Sequence, residues 1–215
     1  MEVKERAIAA DELIRPDSKV WLEAKAEPVD LTGVPVSMQP TAFISNSWTG
    51  KPVGVVTGLT FSALHNGEDI ALRLEWADPS QDLDIDDNDH FPDGAAVVFP
   101  MKDDAPLITM GSPQQPVNAW HWRADRPAEA RNNVATGIGT TRVTKGAEIR
   151  TAARYHDGHW QVVFVRALRR SGVESTIQLA AGQTTPIAFA VWEGSNGERG
   201  GLKSFSPRWY DLHIG

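Results

Sequence analysis

Apolar and polar residues alternate with a period of two along much of this chain, and that period predicts strands. Val55 to Leu64 and Asp69 to Trp76 flank His65-Asn66-Gly67-Glu68, where the Asn-Gly pair favours a tight hairpin. In the second arm Ile70, Leu72, Leu74 and Trp76 fall on one face, and Ala71, Arg73 and Glu75 on the other. Ile149 to His156 and His159 to Leu168 bracket Asp157-Gly158 as a second hairpin, with Trp160, Val162 and Phe164 facing inward. Ala95 to Phe99, Val117 to Trp122, Thr140 to Val143, Ile187 to Trp192 and Trp209 to Ile214 read as further strands. Helical periodicity is confined to Ala7 to Leu13 and Ala128 to Asn132, which predict short turns of helix. About eight to ten short strands at irregular spacing predict an all-β fold, an antiparallel β-sandwich with long loops and a few short helical turns. No repeat or low-complexity linker divides the chain, so residues 1–215 are expected to form one domain.

Composition narrows the chemistry. The 215 residues include no cysteine, which excludes disulfides, thiolate zinc sites, cysteine nucleophiles, Cys-ligated iron–sulfur clusters and covalently attached c-type haem. A net charge of −7 without a basic stripe argues against a nucleic-acid partner. No run of about 18 apolar residues predicts a membrane span. The N-terminal segment lacks the apolar core of a secretory signal, so residence inside the cell, removal of a signal, or export with a signal-bearing partner are the routes open. Eight tryptophans against two tyrosines suit a sandwich core, a sugar platform or a cofactor pocket.

Several motifs resolve into bland readings. Asp78 to Gly94 holds seven aspartates and neither Lys nor Arg. From Asp82 the spacing of acids imitates a calcium loop ending at Asp93, yet Asp87 takes the position that needs glycine, and Leu83 and Ile85 are apolar. The stretch therefore reads as a solvated acidic loop, suited to a basic partner. His156 and His159 straddle a turn and should face solvent, and His121 should point away from Trp120 and Trp122. There is no nucleophile elbow and no phosphate-binding loop; Gly194-Ser195-Asn196-Gly197 lacks the strand–helix setting of the latter. On their own Met110 reads as a packed residue and Lys203 as a surface lysine.

A larger pattern changes that reading. Phe99-Pro100, Met110-Gly111 and Pro116-Val117-Asn118-Ala119-Trp120-His121-Trp122 are followed by Phe189-Ala190-Val191-Trp192-Glu193-Gly194, Glu198-Arg199 and Lys203-Ser204. The series resembles the haem b-binding γ subunits of ethylbenzene dehydrogenase and its relatives, the dimethylsulfide dehydrogenase, chlorate reductase, selenate reductase and steroid C-25 dehydrogenase γ subunits. The likeness extends to His65-Asn66-Gly67, Ala71 to Trp76 and Phe91-Pro92-Asp93-Gly94, and is nearest to the ethylbenzene and steroid dehydrogenase branch.

The resemblance implies one non-covalent haem b per chain whose iron is held by a methionine and a lysine, at positions matching Met110 and Lys203, with Met101 the fallback thioether. A thioether favours ferrous iron, and lysine coordinates only as the free amine, which burial and the iron's charge both promote. Gly200 and Gly201 are expected to let the backbone approach the porphyrin, and Arg199, Arg123 and Arg208 are the candidates for its propionates. Two axial ligands leave no position for substrate, so the implied role is non-catalytic electron transfer. The implied partners are a molybdopterin-containing catalytic α subunit, an iron–sulfur β subunit and a soluble cytochrome or similar carrier. The implied compartment is the periplasm, reached with a signal-bearing partner. The rival is a carbohydrate-binding β-sandwich module in which Trp120, Trp122 or Trp192 stacks on sugar rings.

Overall fold

The computed structural model describes residues 1–85, 90–102 and 105–215. Strands account for most of its regular structure: β1 (Glu2–Glu5), β2 (Glu27–Asp30), β3 (Thr32–Gly33), β4 (Gly58–His65), β5 (Asp69–Ala77), β6 (Gly94–Pro100) and β7 (Val117–Arg123). They continue as β8 (Arg126–Ala135), β9 (Arg142–Thr144), β10 (Arg150–His156), β11 (His159–Ala167), β12 (Thr184–Trp192), β13 (Ser204–Phe205) and β14 (Tyr210–Ile214). Two short helices interrupt them, α1 (Ala10–Leu13) and α2 (Ala42–Ser47). Among the described residues no helix is long and apolar enough to cross a membrane.

The strands hydrogen-bond in the order β14-β1-β4-β5-β11-β10-β8-β7-β6-β12, and β12 pairs back onto β14 through Thr184↔His213 to Ile187↔Tyr210. The ladder therefore closes into a ring, which removes the unpaired edges that an open sheet presents. Its pairings are antiparallel except where β1 runs parallel to both β14 and β4. The all-β expectation holds. In place of two separate antiparallel sheets, two facing halves are joined by continuous hydrogen bonding.

Alternation fills the space between the halves. Leu72, Leu74 and Trp76 of β5 and Trp160, Val162 and Phe164 of β11 meet Val97, Phe99, Trp120, Trp122 and Phe189 from β6, β7 and β12. Phe61 and Phe189 rings lie 5.0 Å apart across this seam, and Trp122 stands edge-on to Trp160 at 5.1 Å. The outer face of β5 and β11 is covered by the N-terminal segment, where Leu13 and Trp21 pack on Ala71, Val163 and Val165. At the Asp157-Gly158 turn both residues adopt positive φ, 50° and 71°, as a two-residue hairpin requires. His156 and His159 beside it are exposed.

The stretch Ala128 to Asn132, expected as a helical turn, lies within β8. Neighbours on both sides override its local preference, since β8 pairs with β7 along most of its length and with β10 and β9 elsewhere. The Ala7 to Leu13 pattern yields only the single turn α1.

One buried amide fixes the position of β7. Asn118 Oδ1 accepts from Trp120 Nε1 (3.1 Å), Thr176 Oγ1 (3.2 Å) and Ile177 N (3.0 Å), while its Nδ2 donates to Asn132 Oδ1 (2.7 Å) and Asn133 O (2.9 Å). Thr176 also accepts from Arg166, a fully buried cation 4.7 Å over Trp120 whose other donors go to backbone carbonyls. Asn118→Ala leaves three donors without their acceptor. At about 1–3 kcal/mol for each buried unsatisfied group, a loss of at least about 3 kcal/mol is expected in the unfolding free energy obtained from urea titration. A change below about 0.5 kcal/mol, ordinary for a surface substitution, would contradict this account of β7.

Candidate functional site

The face of β7 opposite its tryptophans carries small residues, and so do its neighbours. Register places Ala119 beside Val98 and Val98 beside Ala188, then His121 beside Ala96 and Ala96 beside Ala190, then Arg123 beside Gly94 and Gly94 beside Trp192. A floor made largely of glycine, alanine and valine results. At Gly94 an added Cβ would meet Trp122 O at 3.3 Å, with His121 Nε2 and the Trp192 ring each at 3.5 Å, so glycine lets those two rings close across it. Their centroids lie 4.7 Å apart with the ring planes tilted by 51°.

Over this floor lies a cavity of about 1130 Å³, slightly above the roughly 300–1,000 Å³ typical of small-molecule and cofactor sites. Its walls are apolar. Met38, Phe43, Ile44 and Trp48 come from the α2 region, and Leu107, Ile108, Met110 and Ile138 from the opposite loops. Phe43, at 80% exposure, and Ile108 and Ile138 present large apolar surface at its rim, an arrangement that marks a binding site on a folded domain.

Met110 and Lys203 both line this cavity. The β6–β7 loop brings Met110 there by a left-handed backbone, with φ +58° at Met110 and +83° at Gly111. Gly111 is obligatory, because a Cβ there would lie 2.8 Å from Gln115 O. Met110 itself has no such excuse. A non-glycine residue in this region costs about 1–3 kcal/mol and persists where its surroundings hold it. Here its N–H donates to Leu107 O and its carbonyl accepts from Gly137 N, and it packs, partly buried, against the small apolar cluster that includes Val98, Val117 and Ala188. Met101 does not line the cavity.

Lys203 arrives on the loop between β12 and β13, which two buried carboxylates build. Glu193 Oε2 accepts from Asn196 N, and Glu198 Oε1 accepts from Gly54 N and Asn196 Nδ2. Lys203 is 8% exposed, and its Nζ lies 5.3 Å over the Trp192 ring. Among the described residues no carboxylate lies within 4.0 Å of Nζ. Burial pushes the amine down to about 8, so the neutral form is far more accessible than for a surface lysine. His121 faces the same cavity and is pushed down to about 3 by burial and by the charges of Arg123, Arg126, Lys203 and Arg131. It is neutral at pH 7.

The structure corrects three expectations. Gly200 and Gly201 both line the cavity, but the Cβ direction of Gly201 is filled by the Gln39 side chain, 2.4 Å from an added Cβ, so the space that this glycine leaves is taken by Gln39. Arg208 stacks 5.0 Å from Tyr210 and does not line the cavity, whereas Arg199 and Arg123 do. The acidic stretch is not wholly solvated: Asp78 and Asp93 are buried, and with Glu193 they form a cluster whose oxygens lie within 4.8 Å of one another. Asp93 accepts from Asp82 N, Gly194 N and Trp160 Nε1, and burial pushes it up to about 7. Asp87, at the critical position of the calcium pattern, lies outside the described residues. Reading the sequence alone also misses Met38, His90, Lys51 and the α2 wall, none of which carries a local signal.

A family model for ethylbenzene dehydrogenase matches residues 18–145 and 132–204. The chain belongs to the ethylbenzene dehydrogenase family. Its family relatives include a proposed respiratory nitrate reductase heme subunit (ORF7) of Haloferax mediterranei, 35% identical over 98% of this chain and 72% of that one. Another is chlorate reductase subunit gamma of Ideonella dechloratans, 35% identical over 97% of this chain and 82% of that one. A solved structure from Bacteroides uniformis, proposed to be a carbohydrate-binding protein, aligns over 100% of this chain and 98% of its own with TM-score 0.53 and 11% identity. That likeness is one of fold. Both loops that carry Met110 and Lys203 lie within the matched family segments.

The buried amine of this family member has a measurable consequence. Below about pH 8 the folded and unfolded states both carry the proton, and the folded state bears the cost of a desolvated ammonium. From about 8 up to the ordinary value of 10.5 the unfolded state binds more protons, so stability rises with pH, and above both values the contribution is constant. Lys203→Met in cofactor-free protein is therefore expected to be more stable than wild type at pH 7, with the difference shrinking toward pH 10.5. Parallel urea titrations at several pH values check it; a variant less stable at pH 7 would contradict it.

Proposed function

We propose that the cavity holds one haem b whose iron Met110 and Lys203 would ligate, and that the chain is the electron-transfer γ subunit of a molybdenum oxidoreductase complex. The observation that carries the reading is the convergence of a thioether on a strained loop and a buried amine, without a carboxylate partner among the described residues, on one apolar cavity. Neither residue is what packing alone selects. A lysine is almost never fully buried without a partner, and a methionine gains nothing from left-handed backbone.

The residues fit the group. A floor of Gly94, Ala96, Ala119 and Ala190 offers a planar macrocycle a surface without projecting side chains, and apolar walls accept its edges. Arg123 lines the cavity of a chain whose net charge is −7, which suits carboxylates on the ligand. The absence of cysteine makes attachment non-covalent. Bound haem supplies one-electron exchange between ferric and ferrous iron. The chain's part is to exclude water with Phe43, Ile44, Trp48, Ile108 and Ile138, and to present Lys203 unprotonated, which positive charge at the iron further favours. Met110 supplies a neutral soft donor that holds the potential up. The names of the relatives, a heme subunit and a subunit gamma, support the same role beside a catalytic molybdenum subunit and an iron–sulfur subunit.

Sugar binding is less well supported. Trp120 and Trp122 are 0% exposed and unavailable for stacking. The Trp192 ring is flanked by His121 and Lys203, and its Nε1 donates to Gly200 O.

Ligand variants test the assignment. Met110→Ala and Lys203→Ala are each expected to lose haem or shift its reduced α band and potential. Met101→Ala should keep one haem per chain and cost less than the roughly 2–5 kcal/mol typical of a fully buried methionine. Pyridine haemochrome content and redox titration of the three proteins read this directly. Equal haem loss in the Met101 and Met110 variants would overturn the thioether assignment.

A further inference from the structure

The charges beside the cavity are one-sided. On β7 the residues facing it are Ala119, His121 and Arg123. Across the β7–β8 ladder Arg131 stands opposite His121, and Arg126 opposite Arg123. Three guanidinium groups thus gather along one edge of the cavity floor. Among the described residues the carboxylate within ion-pair distance of Arg123 and Arg126 is Asp125, at 2.8 and 3.7 Å, and Arg131 has none. Two donors in this group are orphaned: Arg123 Nε and Arg126 Nε are buried without a hydrogen-bond acceptor.

Buried guanidinium N–H groups without acceptors are costly, and three neighbouring cations, two of them sharing one aspartate, repel one another. His121, held neutral partly by these same charges, shows that the positive potential reaches the cavity. In a chain of net charge −7 such a cluster is a local exception, and it lies at the edge of an otherwise apolar site. The other cations that line the cavity rest on aromatic faces, Arg199 4.1 Å over Phe91 and Lys51 5.7 Å over Trp48. Arginine, with its forked donors, is the side chain suited to bidentate capture of carboxylate.

Resting on the haem reading above, we propose that Arg123, backed by Arg126 and Arg131, is the anion-binding edge of the cavity and takes the porphyrin carboxylates. This fixes which edge of the macrocycle lies against the β7–β8 hairpin and leaves its apolar edges to the remaining walls.

Esterification of the carboxylates separates this claim from haem binding itself. Soret titrations of the cofactor-free full chain with haemin and with iron protoporphyrin dimethyl ester give an affinity ratio for each protein. Wild type is expected to favour the free acid by about tenfold or more, the scale of a charged hydrogen bond. In Arg123→Gln/Arg126→Gln the ratio should fall toward one while affinity for the ester is retained, which also reports an intact cavity. Arg126→Gln alone, at a residue that does not line the cavity, should lower the ratio partly, and Arg199→Gln should leave it unchanged. An unchanged ratio in both the double and the Arg126 variant overturns the inference while haem binding stands, as does collapse of the ratio in Arg199→Gln alone. Wild type that binds neither porphyrin overturns the haem reading and this inference with it.

Discussion

The alternation of β7 is the constraint on which both halves of the molecule depend. Trp120 and Trp122 point into the space between the two sides of the ring, and Ala119, His121 and Arg123 point the other way onto the cavity. A one-residue slip would exchange these faces, sending two indoles into the cavity and a histidine and an arginine into the core. The Asn118 network prevents this by tying the strand to Asn132, Thr176 and Ile177 at once. Core and site are two faces of one strand and share its register.

The site is built from features that packing alone disfavours. Met110 occupies backbone that glycine occupies more easily, and Lys203 carries an amine into apolar surroundings with no carboxylate beside it among the described residues. Both costs are borne by the ring, whose closure and aromatic core hold the loops in place. The cluster of Asp78, Asp93 and Glu193 belongs to this support. Its oxygens accept backbone and indole N–H groups from the segments around Asp82, Trp160, Gly194 and Asn196, joining the stretch before β6 to the loop that leads to Lys203. Strain and desolvation concentrated beside a cavity, with a well-satisfied frame around it, is the distribution expected of a functional site.

The sequence exposes some of this and hides the rest. Strands with one face in the core and clear turn chemistry, β4 and β5 around Asn66-Gly67 and β10 and β11 around Asp157-Gly158, are legible because alternation and turn residues are local signals. β8 is misread at Ala128 to Asn132 because its strand character comes from neighbours on either side. β1, β2, β3 and β13 are too short to show a period. The burial of Asp78 and Asp93 is invisible because it depends on Trp76 and Trp160 indoles supplied by β5 and β11. For Met110 and Lys203, composition and spacing point only to packing and surface; resemblance singles them out, and the fold brings both to one cavity. The floor of small residues was present in the sequence as Gly94, Ala96, Ala119 and Ala190, but only register lines them up.

The most direct test of this account is the visible absorption spectrum of the purified full chain, oxidised and then reduced with dithionite, before and after carbon monoxide. The proposed ligation by Met110 and Lys203 predicts a sharp Soret band, resolved α and β bands on reduction and no response to carbon monoxide. A colourless protein that takes up no added haemin, or a reduced spectrum that shifts fully with carbon monoxide, would contradict it.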